Sequence, residues 1–289
     1  QSIETYQNNA SLKILNLFQE NTMRYNFSRK IDLTTNLNFQ NTQFNNNSFS
    51  KNLFVINPSI YLNIKKTGFG NFSLSFSENN SLPEINQLTT NYQLTDYRSF
   101  LQGTTLQKPL KNQTTGLNYS YYNDEKRFSI NTNIFYNNSK SILNTSSNLT
   151  SDFNFNSYIQ TKGSESYNFN FSLVNYSRKL KLASKIETLN NWITSPLNVN
   201  STEFSNAKSF SNSIKYSATT YFKSKINFDF GFSYNYFQSN FQGIKTTNTT
   251  KDAFFNINYK VSKTILAESN NSLYYVNNKN YSFNNVVLS

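Results

Sequence analysis

Asp96, Tyr97 and Arg98 follow one another in a long polar stretch, residues 80–108, that also holds Glu84, Asn86, Gln87, Tyr92 and Gln93. A carboxylate, a phenol and a guanidinium in succession could bind a polar or anionic ligand through charge-assisted hydrogen bonds and ring contacts. The same residues could equally belong to a loop folded on itself, with Asp96 and Arg98 paired on one side of an extended chain. Trp192, the one Trp, stands in NNWITSP beside another polar stretch. An interfacial anchor and a ring-stacking ligand contact both account for it there.

Catalysis finds little to work with. The chain has no Cys and no His, which removes disulfides, thiol catalysis, imidazole acid–base chemistry and the commonest transition-metal sites. Glu20, Glu78, Glu84, Glu125, Glu165, Glu187, Glu203 and Glu268 are widely spaced and define no carboxylate pair of the kind glycoside hydrolysis needs. The expectation is therefore binding or passage rather than an enzyme, with no cofactor and no metal.

The elements that must position these residues are strands. In 225–236, KINFDFGFSYNY, Ile226, Phe228, Phe230, Phe232, Tyr234 and Tyr236 alternate with Lys225, Asn227, Asp229, Gly231, Ser233 and Asn235. That is the two-residue period of a strand with one apolar and one polar face. The pattern recurs at Ile31, Leu33, Leu37 and Phe39, at Phe72, Leu74 and Phe76, at Tyr167, Phe169, Phe171 and Leu173, and at Ala253, Phe255, Ile257 and Tyr259.

Composition says where such strands would sit. The 289 residues include 27 Phe and 20 Tyr, yet only 15% are charged and the mean hydropathy is −0.63. A water-facing surface is expected to carry roughly 25% or more charged side chains; here Asn, Ser and Thr occupy the polar positions, which suits a wall lining a watery lumen. Low-complexity disorder would not keep a two-residue period. No stretch approaches the roughly 17 to 25 apolar residues of a membrane helix, whereas a β-barrel needs only about ten alternating residues per crossing. The fold expected is all-β, a transmembrane antiparallel up-and-down β-barrel in an outer membrane.

Compact turns are legible near 28–31, 65–68, 123–126, 178–181, 222–225 and 260–263, and longer connections near 44–49, 80–108, 142–162, 194–206 and 239–250. Short on one side and long on the other is the habit of outer-membrane barrels, with the long loops outside. Strands are expected at 11–27, 32–44, 50–64, 69–80, 109–122, 127–141, 164–177, 182–194, 206–221, 226–238, 251–260 and 265–277, with another starting at 281 and room for a short pair within 142–162. Lys225, Asn227, Asp229, Asn256, Asn258 and Lys260 are then lumen-wall residues. Because the chain starts inside a polar run with no signal peptide and stops just as Tyr281 and Phe283 suggest another strand, residues 1–289 read as a 12- to 14-strand barrel region incomplete at both ends, without a plug domain, closed by other sequence or by another chain. A complete barrel of that size is the alternative.

The net charge is +12, with Lys and Arg scattered, often at hairpin ends such as Arg29-Lys30 and Arg178-Lys179. Scatter of that kind argues against nucleic acid and suits lipid head groups or an anionic solute.

Residues 72–88, FSLSFSENNSLPEINQL, resemble the barrel of Bacteroidetes-type TonB-dependent outer-membrane receptors, in which an aromatic-Ser strand end leads into an outer loop with a Pro and then a Leu, here Phe76, Ser77, Pro83 and Leu88. TTNYQLTDYRSF, 89–100, is similar to the continuation in that family. The resemblance implies a barrel of about 22 strands preceded by a plug, importing a scarce solute with energy from a TonB-type coupling protein. That partner would bind through sequence not visible in this chain. A surface lipoprotein or another barrel subunit are further partners it implies. The alternatives are a passive porin and a protein secretion or assembly barrel.

Overall fold

In the computed structural model, residues 12–46, 49–66, 68–88, 91–104, 108–197, 205–262, 265–276 and 279–288 are described. They form sixteen strands joined in one sheet. Thirteen make a single antiparallel path: β1 (Leu12–Ser28), β2 (Ile31–Asn46), β3 (Phe49–Lys66), β4 (Gly70–Ser81), β7 (Leu110–Asn123), β8 (Phe128–Leu149), β10 (Glu165–Ser177), β11 (Leu182–Leu197), β12 (Ser205–Thr220), β13 (Ile226–Phe241), β14 (Ile244–Lys260), β15 (Leu266–Val276) and β16 (Lys279–Leu288). The shortest of them, β16, has 10 residues, enough for a tilted crossing of about 9–11 residues. The path runs from β1 to β16 without pairing those two to each other.

The remaining three strands branch off at one end. β8, 22 residues long, pairs with β7 and β10 along its first part, while its continuation Ile142–Leu149 pairs with β9 (Asn154–Thr161). A parallel β6 (Ser99–Gln102) lies against β9, and β5 (Tyr92–Asp96) against β6. The short pair for which 142–162 had room thus forms, and two short strands from the expected loop 80–108 join it in a small sheet rising from β8.

The expected long connection at 239–250 is not there. β13 and β14 run on to a two-residue turn, Gln242-Gly243, in which both residues have positive φ (50° and 81°). That is the hairpin turn whose twist matches the flanking strands. The connection expected at 44–49 shrinks to residues 47–48, which, like 198–204, lie outside the described residues.

Burial along the strands is inverted relative to a water-soluble sheet. In β4 Phe72, Leu74 and Phe76 are exposed, 42%, 46% and 36%, while Ser73, Ser75 and Ser77 between them are partly shielded. Among the described residues only Val55, Leu88 and Ala218 are buried hydrophobics, so the sheet has no packed apolar core. Register carries the apolar face across the path. Leu33, Leu62, Leu74, Leu117, Ile134 and Phe169 are successive opposed partners from β2 to β10.

Candidate functional site

The polar face is as continuous as the apolar one. Asp32, Asn63, Ser73, Asn118, Asn133 and Asn170 are opposed in turn from β2 to β10, and after Leu189 the row resumes through Ser213, Asn235 and Thr250. Asn suits such a row because its amide both donates and accepts, linking two neighbours. Asn118 donates to Ser73 Oγ at 3.2 Å, Ser213 Oγ donates to Asn235 Oδ1 at 2.6 Å, and Asn235 donates to Thr250 Oγ1 at 3.1 Å. Two rows further along, Asn137 accepts from Thr114 at 2.9 Å and donates to Ser166 at 3.3 Å.

Charges stand on this wall between β11 and β14. Glu187 is directly opposite Lys215, which is opposite Ser233, which is opposite Asp252. Lys185 Nζ lies 2.7 Å from Glu187 Oε1, and Ser233 Oγ donates to Asp252 Oδ2 at 2.6 Å. Asn131, Asn133, Asn170, Ser172, Glu187 and Lys215 contribute to an open cleft of about 310 Å³. Asn170 Oδ1 and Asn191 Oδ1 are shielded and have no protein donor. A buried oxygen left dry costs about 1–3 kcal/mol, so this face is built to be wetted.

Of the lumen residues read from the sequence, Asn227, Asp229, Asn256 and Asn258 all fall on this polar face, and Asn258 Nδ2 donates to Asp229 Oδ2 at 2.6 Å. Asn227 Oδ1 accepts from the Phe222 N–H at 2.6 Å and so fixes the β12–β13 connection. Lys260 ends β14 on the same side, but Lys225 belongs to the connection itself, where Nζ meets the Val261 carbonyl at 3.5 Å.

The ligand-contact candidates occupy three separate places. Glu84 precedes a short 3-10 turn, Ile85–Leu88, that contains Gln87, whose Oε1 accepts from the Glu84 N–H at 3.0 Å; the Asn86 side chain lies outside the described residues. Tyr97 and Arg98 form the exposed turn between β5 and β6. Asp96 Oδ1 accepts from the Tyr97 N–H at 2.6 Å, and the Arg98 guanidinium lies 5.5 Å from the Tyr97 ring centroid. The loop folds back on itself as the β5–β6 hairpin, and no ion pair joins Asp96 to Arg98 among the described residues. Gln93 is within β5, opposite Leu101.

Tyr92 leads to a cluster that sequence reasoning missed. Its ring is 5.8 Å from Phe155, which stacks on Phe100 at 5.3 Å, with Phe153 5.8 Å from Phe100. The alternation of Phe153 and Phe155 with Asp152, Asn154 and Asn156 was the available signal. Trp192 is elsewhere, inside β11 on the apolar face. It continues a cross-strand row Tyr136, Tyr167, Trp192, Phe210, with ring centroids 4.7 Å apart for the first pair and 5.0 Å for the last.

No family model and no curated protein matches the chain. Among solved structures it is similar to in-vitro folded OmpT, an outer membrane protein of Vibrio cholerae, at 10% identity over 93% of this chain and 88% of that one, TM-score 0.36. The outer-membrane expressed OmpT of Vibrio cholerae gives 11% over 93% and 88%, TM-score 0.34. The beta domain of the Bordetella autotransporter BrkA gives 7% over 96% and 95%, TM-score 0.28. Likenesses this distant say nothing about activity.

Proposed function

We propose that this chain is wall of an outer-membrane β-barrel through which a polar solute crosses. The observation that carries the reading is the inverted burial: outward apolar rows with no protein layer over them, and inward rows of hydrogen-bonded Asn, Ser and Thr. In water each exposed Leu or Phe forfeits about 1.5–3 kcal/mol of burial, which a hydrocarbon surround restores. A bilayer does not tolerate open sheet edges, so the edges of β1 and β16 close on each other or on further strands.

The narrower reading is energised uptake by a barrel of the TonB-dependent type, supported by the resemblance of residues 72–88. The β5–β6–β9 branch, with Tyr97 and Arg98 at its turn, is then the outer mouth that meets the solute first. Passive diffusion and protein secretion use the same kind of wall.

Trp192 reports directly on the shared premise. With the chain refolded into bilayers, acyl chains brominated near the head group should quench its emission strongly and aqueous acrylamide weakly; strong acrylamide quenching in every lipid would end the membrane reading. Conductance in the same bilayers separates the narrower readings. A steady open channel favours passive passage, and an inserted chain that conducts only when a solute is captured and energy supplied favours uptake.

A further inference from the structure

The two ends of the sheet differ in charge. Each tight connection on the β1–β2 side carries a basic pair within it or at its flank, as at Arg29-Lys30, Lys126-Arg127 and Arg178-Lys179, against Asp124 and Glu125 as the acidic residues inside these turns. The opposite end also carries cations, among them Arg98, Lys108, Lys140, Lys162 and Lys245, but they are partly offset by Glu84, Asp96, Asp152 and Glu165.

Hydrogen bonds link neighbouring basic turns along this rim in two groups, β1–β2 with β3–β4, and β7–β8 through to β14–β15. The Lys65 N–H donates to the Lys30 carbonyl at 2.7 Å, Tyr221 to Lys181 at 2.7 Å, and Lys260 to Lys225 at 2.7 Å, while Arg178 Nη2 reaches the Glu125 carbonyl at 2.7 Å. Lys65 has a carboxylate partner, Asp32 at 3.5 Å; the other rim cations have no ion pair among the described residues. Exposed apolar side chains are interleaved with them: Phe69, Leu180, Tyr221 and Phe222. The apolar face begins directly above, at Ile31, Ile64 and Phe72.

We propose that this rim binds the anionic phospholipid head groups of the leaflet on the short-turn side. The inference rests on the membrane reading above and adds an orientation and a lipid chemistry to it. An acidic protein would match the cations alone. A lipid surface matches the cations, the interleaved aromatics and the adjoining apolar face at the heights where phosphate, interface and hydrocarbon follow one another.

The test uses the full chain in vesicles of phosphatidylcholine containing roughly one-third phosphatidylglycerol, extracted gently, with retained lipid measured by mass spectrometry. The retained phosphatidylglycerol-to-phosphatidylcholine ratio should exceed the bulk ratio at least about fivefold. A variant with Lys126→Gln, Arg178→Gln, Lys179→Gln and Lys223→Gln should fall to the bulk ratio. A variant with Lys108→Gln, Lys140→Gln, Lys162→Gln and Lys245→Gln at the other end should keep the enrichment. Equal retention by both variants, or no enrichment at all, overturns the proposal. If Trp192 is quenched by brominated lipid in that same sample, the membrane reading survives the loss; if it is not, both fall.

Discussion

Phe254 lies across Gly231, its opposed partner on the polar face of β13 and β14. A Cβ at position 231 would stand 2.7 Å from the Phe254 ring and 2.4 Å from the Tyr216 carbonyl oxygen. The arrangement repeats five strands away along the path, where Phe135 covers Gly116 and a Cβ there would stand 2.8 Å from the ring. In both places a large ring on the wet face folds down onto glycine rather than projecting from the wall, the pairing that shields a strand glycine.

Gly231→Val should therefore destabilise the folded sheet by about 1–3 kcal/mol, the usual cost of forcing extra volume into a filled site. Phe254→Ala should rescue it only in part, because the Tyr216 carbonyl is backbone and cannot turn away. Midpoints of urea unfolding in detergent would show this. Full rescue would mean that the ring alone makes the site tight.

The two faces should answer differently to charge. Phe232 is 52% exposed on the apolar face, between Tyr216 and Ala253, and Ser233 is its polar-face neighbour. Phe232→Arg should cost about 2–4 kcal/mol in bilayer refolding if that row sits near the midplane, and Ser233→Arg should cost less than about 1 kcal/mol. Similar costs at both positions would contradict a lipid-facing apolar side.

Main-path strands were legible in the sequence wherever apolar and polar residues alternate, with one face of Leu, Ile and Phe and the other of Asn, Ser and Thr. Ile226–Tyr236 shows this, and its boundaries match β13 at the near end. Beyond the apolar rows both faces are polar and the alternation fades, which is why Ser239–Phe241 and Ile244–Thr250 read as loop although they are strand, while Ile142–Leu149 falls where there was room for a short pair. The branch was opaque for a second reason. β6 and β9 are parallel partners more than fifty residues apart, and nothing local in SFLQ announces a partner at Asn154–Ser157. Trp192 shows the converse limit: its neighbours in sequence mark the end of a strand beside a polar stretch, while only its neighbours across strands, Tyr167 and Phe210, reveal the aromatic row.

The Gln242-Gly243 turn offers a stabilising change. Both residues hold positive φ, which Gly takes freely and Asn takes more readily than Gln. Gln242→Asn should raise stability by about 0.5 kcal/mol, the low end of such turn corrections. Gly243→Val should lower it by more than that, because a β-branched residue is poorly tolerated in the left-handed region. A hairpin indifferent to both changes would not be held by this turn.

Lys215 is the cation between two carboxylates on the polar wall, with Glu187 opposed on β11 and Asp252 two strands away on β14. Lys185 already neutralises part of Glu187 at 2.7 Å, so Asp252, held by Ser233, is the less compensated of the two. Lys215→Glu would gather acidic charge on one transverse row, and if that row lines the solute path the cation-to-anion permeability ratio should rise at least about twofold. Glu187→Lys should move it the other way, because it joins a third cation to Lys185 and Lys215. Reversal potentials across a salt gradient give the sign without any assumption about channel size. Shifts in the same direction for both variants, or none for either, would place this row off the path and leave Tyr97 and Arg98 at the β5–β6 turn as the charge-bearing contact to test next.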